Sequence, residues 1–226
     1  MPASGSESTM TVINLQLTPA LTHWLPRIAA CADPIPDLGV YTQVLAQKEL
    51  SLKEADLILR LGEPSESDLY TAVMGIEEII VIAGDEVPLS SLSIESLRKV
   101  FAGVVDNWGA IPEVSETGIG FNQTIQVFSY PEGHELRNFF QEAYLVTEKL
   151  TSDVQLFFTP DSLEDLIKNT PYGIGYLLKS QLPGGFKAIT ITSTDPVSTQ
   201  LYVLAVTSQE PTDALNQLLL CLQDAQ

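Results

Sequence analysis

Val12, Ile13, Leu15 and Leu17 are interrupted by Asn14 and Gln16, the near-alternation of a half-buried strand, and predict β-structure over residues 11–17. Helical spacing follows almost at once. Leu21, Trp24, Leu25, Ile28 and Ala29 share one face, with Thr18 and Pro19 as a cap and first-turn pair. Pro26 falls inside this pattern, so the helix either starts later, at Thr22, or kinks. Further strands are expected at 40–44, 56–61 and 77–83. A capped helix over 93–101 then turns Ile94, Leu97, Val100 and Phe101 inward and stops at Gly103. Residues 104–120 read as loop. A strand over 124–129 precedes a helix over 135–145, whose Leu136, Phe139, Phe140, Ala143 and Tyr144 form one stripe. A short helix at 161–169, strands at 173–178, 187–192 and 201–207, and a helix at 212–222 complete the pattern. Strands and helices alternate without an internal repeat, which predicts an α/β fold.

The 226 residues suit one large domain or two lobes of about 100 residues each. Charge narrows the partners. Eleven Lys and Arg against 29 Asp and Glu leave a net charge of −18, which repels phosphate backbones and anionic lipid. Neither nucleic acid nor a membrane surface is an expected partner, and an anionic ligand needs local dipoles or an Arg to reverse that field. No apolar run is long enough to span a bilayer. Residues 1–10 are small and polar, without the basic and apolar pattern of a signal peptide, and read as a flexible linker. One expectation is that a signal or lipid-anchor segment has been removed and a start Met added; the other is a frayed cytosolic terminus. Cys31 and Cys221 are too few for a disulfide framework and lack zinc-site spacing; they form either one bridge or two buried thiols.

Catalytic chemistry finds little here. His23 and His134 are the only histidines, and there is no Gly-x-Ser-x-Gly elbow, no phosphate loop and no metal-ligand spacing. No enzyme activity, cofactor or metal is expected, a two-carboxylate acid hydrolase being the residual alternative. Two features point to anions. Tyr130-Pro131-Glu132-Gly133-His134 places a sharp turn between a strand and a helix N-terminus, where backbone N–H groups collect negative charge. Arg60 ends the apolar run Leu57-Ile58-Leu59, at the strand edge that faces the ligand crevice in an α/β sheet. It either serves that crevice or pairs with Glu63 or Glu66 on the surface.

Three segments together resemble the phosphate-binding proteins of ABC importers. The first runs from Leu92-Ser93-Ile94-Glu95 to Val100-Phe101-Ala102-Gly103, followed by Asn107-Trp108; the second is Val127-Phe128-Ser129-Tyr130-Pro131-Glu132-Gly133; the third is Gly173-Ile174-Gly175-Tyr176. They stand in that family's order at roughly its spacing, and flanking strands extend the likeness over most of residues 11–222. The resemblance implies a two-lobed α/β fold of the type II periplasmic-binding kind, its lobes joined by two crossover strands and a ligand held in the cleft. Lobe 1 would comprise residues 11–86 and 193–226, and lobe 2 residues 87–192. That topology brings the first and last helices into one lobe and favours a bridge between Cys31 and Cys221.

The same resemblance implies an extracytoplasmic, lipid-anchored substrate-binding protein, monomeric, that carries phosphate or a related oxyanion to an ABC permease. Its implied ligand contacts are Thr18, Ala20, Leu21, Thr22 and Arg60 in the first lobe, and Tyr130, His134, Glu135 and Arg137 in the second. The chain departs from the pattern where the family has an Arg and then Ser-Gly-Thr: Tyr130 takes the Arg position, and His134, Glu135 and Leu136 replace the triplet. A carboxylate repels a bound oxyanion and Leu136 donates no side-chain hydrogen bond. Partial replacements are a protonated His134, the Tyr130 hydroxyl and Arg137, a residue otherwise read as solvated. The competing expectation is therefore a sensory or structural module that binds no phosphate.

Overall fold

The computed structural model describes residues 10–116, 121–184, 186–194 and 197–224. The expected linker lies almost wholly outside them. In chain order the elements are β1 (Thr11–Leu17), α1 (Leu25–Ala32), β2 (Leu38–Val44), β3 (Leu57–Leu61), β4 (Tyr70–Ala83), β5 (Ser91–Ser93), α2 (Ile94–Phe101), α3 (Pro112–Ser115), β6 (Gln126–Ser129), α4 (Glu135–Phe140), β7 (Gln155–Leu156), α5 (Pro160–Asn169), β8 (Gly173–Leu178), β9 (Lys187–Thr192), β10 (Gln200–Thr207) and α6 (Asp213–Asp224). Two compact units result. Unit 1 runs to Ile76 and resumes at Leu201; unit 2 is Glu77–Gln200. The division falls inside β4 and at the start of β10.

In unit 1 the strand order is β2-β1-β3-β10, the first three parallel and β10 antiparallel. Register sorts the side chains onto two faces, because residues directly opposite on neighbouring strands point the same way. Leu15 pairs with Leu57 and Leu17 with Leu59, while Leu59 faces Ala205 and Leu61 faces Val203. All seven are buried, giving a wholly apolar first face. The second face is mixed: Gln16 pairs with Ile58, and Arg60 with Leu204. There Ala55, Ile58, Leu204 and Val206 form a small core, with Leu50, Leu52 and Leu69 of the connecting loops packed on it.

Loops thus cover the second face, which leaves the first to the apolar stripes of α1 and α6. Ile28, Cys31 and Ala32 of α1 and Leu218, Leu219 and Leu222 of α6 are buried. The two helices are joined by a disulfide between Cys31 and Cys221, Cα atoms 5.7 Å apart. Arg27 reinforces the contact, its guanidinium 4.5 Å above the Trp24 ring and donating to the Leu222 carbonyl. Pro26 is accommodated without a kink: residues 19–24 form a 3-10 helix, and α1 starts at Leu25 with Pro26 in its first turn, where no N–H partner is lost.

In unit 2 the strand order is β5-β9-β4-β8-β6-β7, β4 running antiparallel to both of its neighbours. The three recognisable segments turn out to be packing devices. Ser93 caps α2 by accepting from Ser96 N–H at 3.2 Å. Gly103 ends the helix at φ +72°, where a Cβ would lie 2.6 Å from Thr151 Oγ1. Asn107 accepts from the Gly109 N–H at 2.8 Å, and the fully buried Trp108 donates to the Tyr172 carbonyl at 2.8 Å. Gly173 lets β8 pass Phe128, whose Cε2 would stand 2.2 Å from any Cβ. The expected helix over 135–145 is α4 continued by a π-helical turn, Gln141–Leu145. That switch places the Tyr144 carbonyl 2.7 Å from Arg98 Nε, which donates to it.

Candidate functional site

Unit 1 contains four cationic side chains, Arg27, Lys48, Lys53 and Arg60. Three of them, Lys48, Lys53 and Arg60, line one cavity of about 500 Å³ on the second face of the sheet. Its volume is within the range of small-molecule sites. Arg60 reaches the cavity because strand alternation puts it on the same side as Ile58. The two lysines come from the loop between β2 and β3. Gln16 holds that loop down, its Oε1 accepting from the Ser51 N–H at 2.8 Å. Glu66 lines the same space, so three positive charges face one negative within a protein of net charge −18.

The expected first-lobe contacts divide. Thr18 follows Leu17, whose partner Leu59 precedes Arg60, so Thr18 and Arg60 stand side by side at the C-terminal ends of β1 and β3. The Thr18 backbone is still extended, and its Oγ1 is buried without a hydrogen-bond partner. Thr22 Oγ1 donates to the Pro19 carbonyl at 3.0 Å, an internal turn bond. Ala20 and Leu21 are buried in the core, which leaves only their backbone to reach a ligand.

The second-lobe residues converge on one another. Tyr130 is 2 % exposed and stacks on His134, ring centroids 4.0 Å apart and planes 13° apart. Phe157 packs on Tyr130 at 4.2 Å, and Phe140 stacks on Tyr176 at 3.8 Å. The Tyr176 hydroxyl and Ser129 Oγ share a 2.7 Å hydrogen bond. Burial raises the hydroxyl pKa of Tyr130, with the charges of Tyr176 and Glu135 adding to it. Burial also pulls His134 down to about 4. A protonated His134 donor is thereby ruled out near neutrality, and its Nδ1 instead accepts from the Leu136 N–H at 3.2 Å. Arg137 is half-buried rather than fully solvated: its Nη1 donates to the Tyr130 carbonyl at 3.3 Å, inside the turn. Glu135 is buried in the first turn of α4, where a carboxylate suits the helix dipole.

No family model and no curated protein sequence matches the chain. Solved structures do. A substrate-binding protein assigned to a phosphate ABC transporter of Clostridium perfringens, with bound phosphate, superposes with a TM-score of 0.73 at 17% identity, covering 94% of this chain and 93% of that one. An ABC-type phosphate transport receptor from Vibrio cholerae gives 0.72 at 14% identity, with coverage of 94% and 93%. The regulatory domain of CcmR from Synechocystis, in complex with 2-PG, gives 0.64 at 16% identity over 95% and 96% of the two chains.

The fold is the type II periplasmic-binding fold. At these identities the likeness extends to architecture alone, and the type II fold evidently serves both transport receptors and regulatory domains. None of the three neighbours is described as an enzyme. Among the described residues no group of His, Cys, Asp and Glu is arranged to hold a metal ion, and no helix is long and apolar enough to cross a membrane.

Lys48 and Lys53 escaped the sequence reading because neither stands in a motif or a periodic segment. The only trace in the sequence is that three of the four cations in unit 1 fall within residues 48–60.

Proposed function

We propose that the protein is an extracytoplasmic binding protein for a small anion, with unit 1 supplying the positive charge that receives it. The observation that carries this reading is the convergence of Lys48, Lys53 and Arg60 on one cavity of a strongly acidic chain. Three cations against the single carboxylate of Glu66 give that lining a positive balance, which attracts an anion. The disulfide supports an oxidising compartment, since such bonds persist outside the cytosol. Two of the neighbours are a phosphate ABC transporter substrate-binding protein and an ABC-type phosphate transport receptor, and by that likeness an ABC permease is the partner we assign.

A second reading draws on unit 2. Tyr130 and Glu135 fill the turn that the phosphate-binding pattern reserves for the ligand, as expected of a regulatory or structural module. Thermal unfolding of the intact protein with phosphate, sulfate, molybdate and small carboxylates separates the two. A ligand at 100 times its Kd stabilises by about 2.7 kcal/mol, a shift of several degrees in a chain of this size. Stabilisation by any of these anions supports binding; the absence of a shift with all of them leaves the regulatory or structural module.

A further inference from the structure

The unit 1 cavity is chemically two-sided. Lys48, Lys53 and Arg60 give it a cationic rim, while Ile58, Leu69 and Val206, all part of the small second-face core, give it an apolar floor. An inorganic oxyanion is strongly hydrated on every side, and pressing it against that floor removes water without replacing its hydrogen bonds. An anion with a hydrocarbon body behaves differently: its charged end meets the rim while its apolar end removes the floor from water, a gain of about 25 cal/mol for each Å² covered. Size agrees. At about 30 Å³ per water, a cavity of about 500 Å³ is far roomier than one tetrahedral oxyanion needs.

We infer that the ligand of this cavity is an organic carboxylate with an apolar body, and not inorganic phosphate. The inference rests on the anion-binding reading above and names its ligand class. The carboxylate is held at the rim by the exposed ammonium groups of Lys48 and Lys53, and the positive charge of Arg60 on the same lining adds to the field. The hydrocarbon part lies over Ile58 and Val206. Glu66, the one carboxylate on the lining, selects against ligands carrying several negative charges.

Calorimetric titration of the intact protein at low salt tests this with hexanoate and phenylacetate, their neutral amides, and inorganic phosphate. At least one carboxylate is expected to bind about tenfold more tightly than its amide and than phosphate, a difference of about 1.4 kcal/mol. Arg60→Gln is expected to weaken it at least tenfold. Lys53→Gln, at an exposed position whose loss leaves the core intact, is expected to weaken it severalfold and keeps the test open if the Arg60 variant fails to fold. Tighter binding of phosphate overturns the organic ligand while leaving the anion-binding reading in place. Carboxylate binding that neither variant weakens overturns the assignment to this cavity. Binding of none of the probes overturns the organic carboxylate, and the thermal test with sulfate and molybdate then decides the anion-binding reading.

Discussion

Each unit presents a strand that runs out toward a turn, and the two have been finished in opposite ways. At the end of β3 in unit 1, Arg60 lies over an open cavity that loops bridge without filling. At the end of β6 in unit 2, Tyr130 stacks on His134 and packs at a tilt against Phe157, and its own backbone carbonyl accepts from Arg137. Unit 2 does have a cavity of similar size, but the one cation on its described lining, Lys179, is paired with Glu78 at 2.9 Å. Among the described residues, the same architecture therefore lines the unit 1 cavity with three cations and the unit 2 cavity with one, which is held in an ion pair. Binding chemistry resides in what a loop leaves uncovered, whereas the strand-to-helix geometry is common to both.

The largest effect is expected from reversing the finish of unit 2. Tyr130→Arg restores the residue of the phosphate-binding pattern but buries a guanidinium among aromatic rings. A loss of more than about 3 kcal/mol is expected in denaturant unfolding, with no gain in phosphate binding. Retained stability together with new phosphate affinity would mean that the turn is a masked site, and the contrast between the units would collapse.

Next in size is the staple of unit 1. The bridge closes a loop of 190 residues, and replacing Cys31 and Cys221 by Ser is expected to cost about 2–4 kcal/mol. Wild type in reductant should show the same fall in its unfolding midpoint. Should unfolding be indifferent to reductant, α1 and α6 are held by their apolar stripes alone.

The smallest effect is a matter of pH. His134 titrates at about 4 in the folded protein and near 6.5 when unfolded. The unfolded chain therefore binds the extra proton first. His134's contribution is complete above pH 6.5 and is lost as the pH falls through 6.5 toward 4. His134→Asn keeps a capping acceptor for the Leu136 N–H and is expected to flatten that segment of the stability profile relative to wild type. Identical profiles would show that the imidazole is not desolvated by its stack on Tyr130.

Much of the fold was legible because its signals are local. The alternation around Leu15, the cap at Ser93 and the stripe on residues 212–222 each arise within a few residues, and each became the element it predicts. β4 was longer than expected, 14 residues against seven, because its first half, Tyr70–Ile76, is mostly exposed and carries no clean period. The helix beginning at Glu135 keeps its stripe through the π-helical turn, which side-chain periodicity does not distinguish from α-helix. Of the candidate site, Arg60 was visible as a charge ending an apolar strand; Lys48 and Lys53 were not, because loop lysines carry no period.

By itself, the sequence determined the α/β class, the order of strands and helices, the acidic surface and the loss of the Arg and hydroxyl pattern at Tyr130 and His134. Only the tertiary structure decided that Cys31 and Cys221 meet, that His134 and Arg137 turn inward to serve Tyr130, and that three cations share a cavity. The reason is physical. Periodicity and capping are settled between neighbours in the chain, whereas a cavity, a cross-link and a desolvated imidazole depend on which distant segments arrive beside one another, and that depends on strand register.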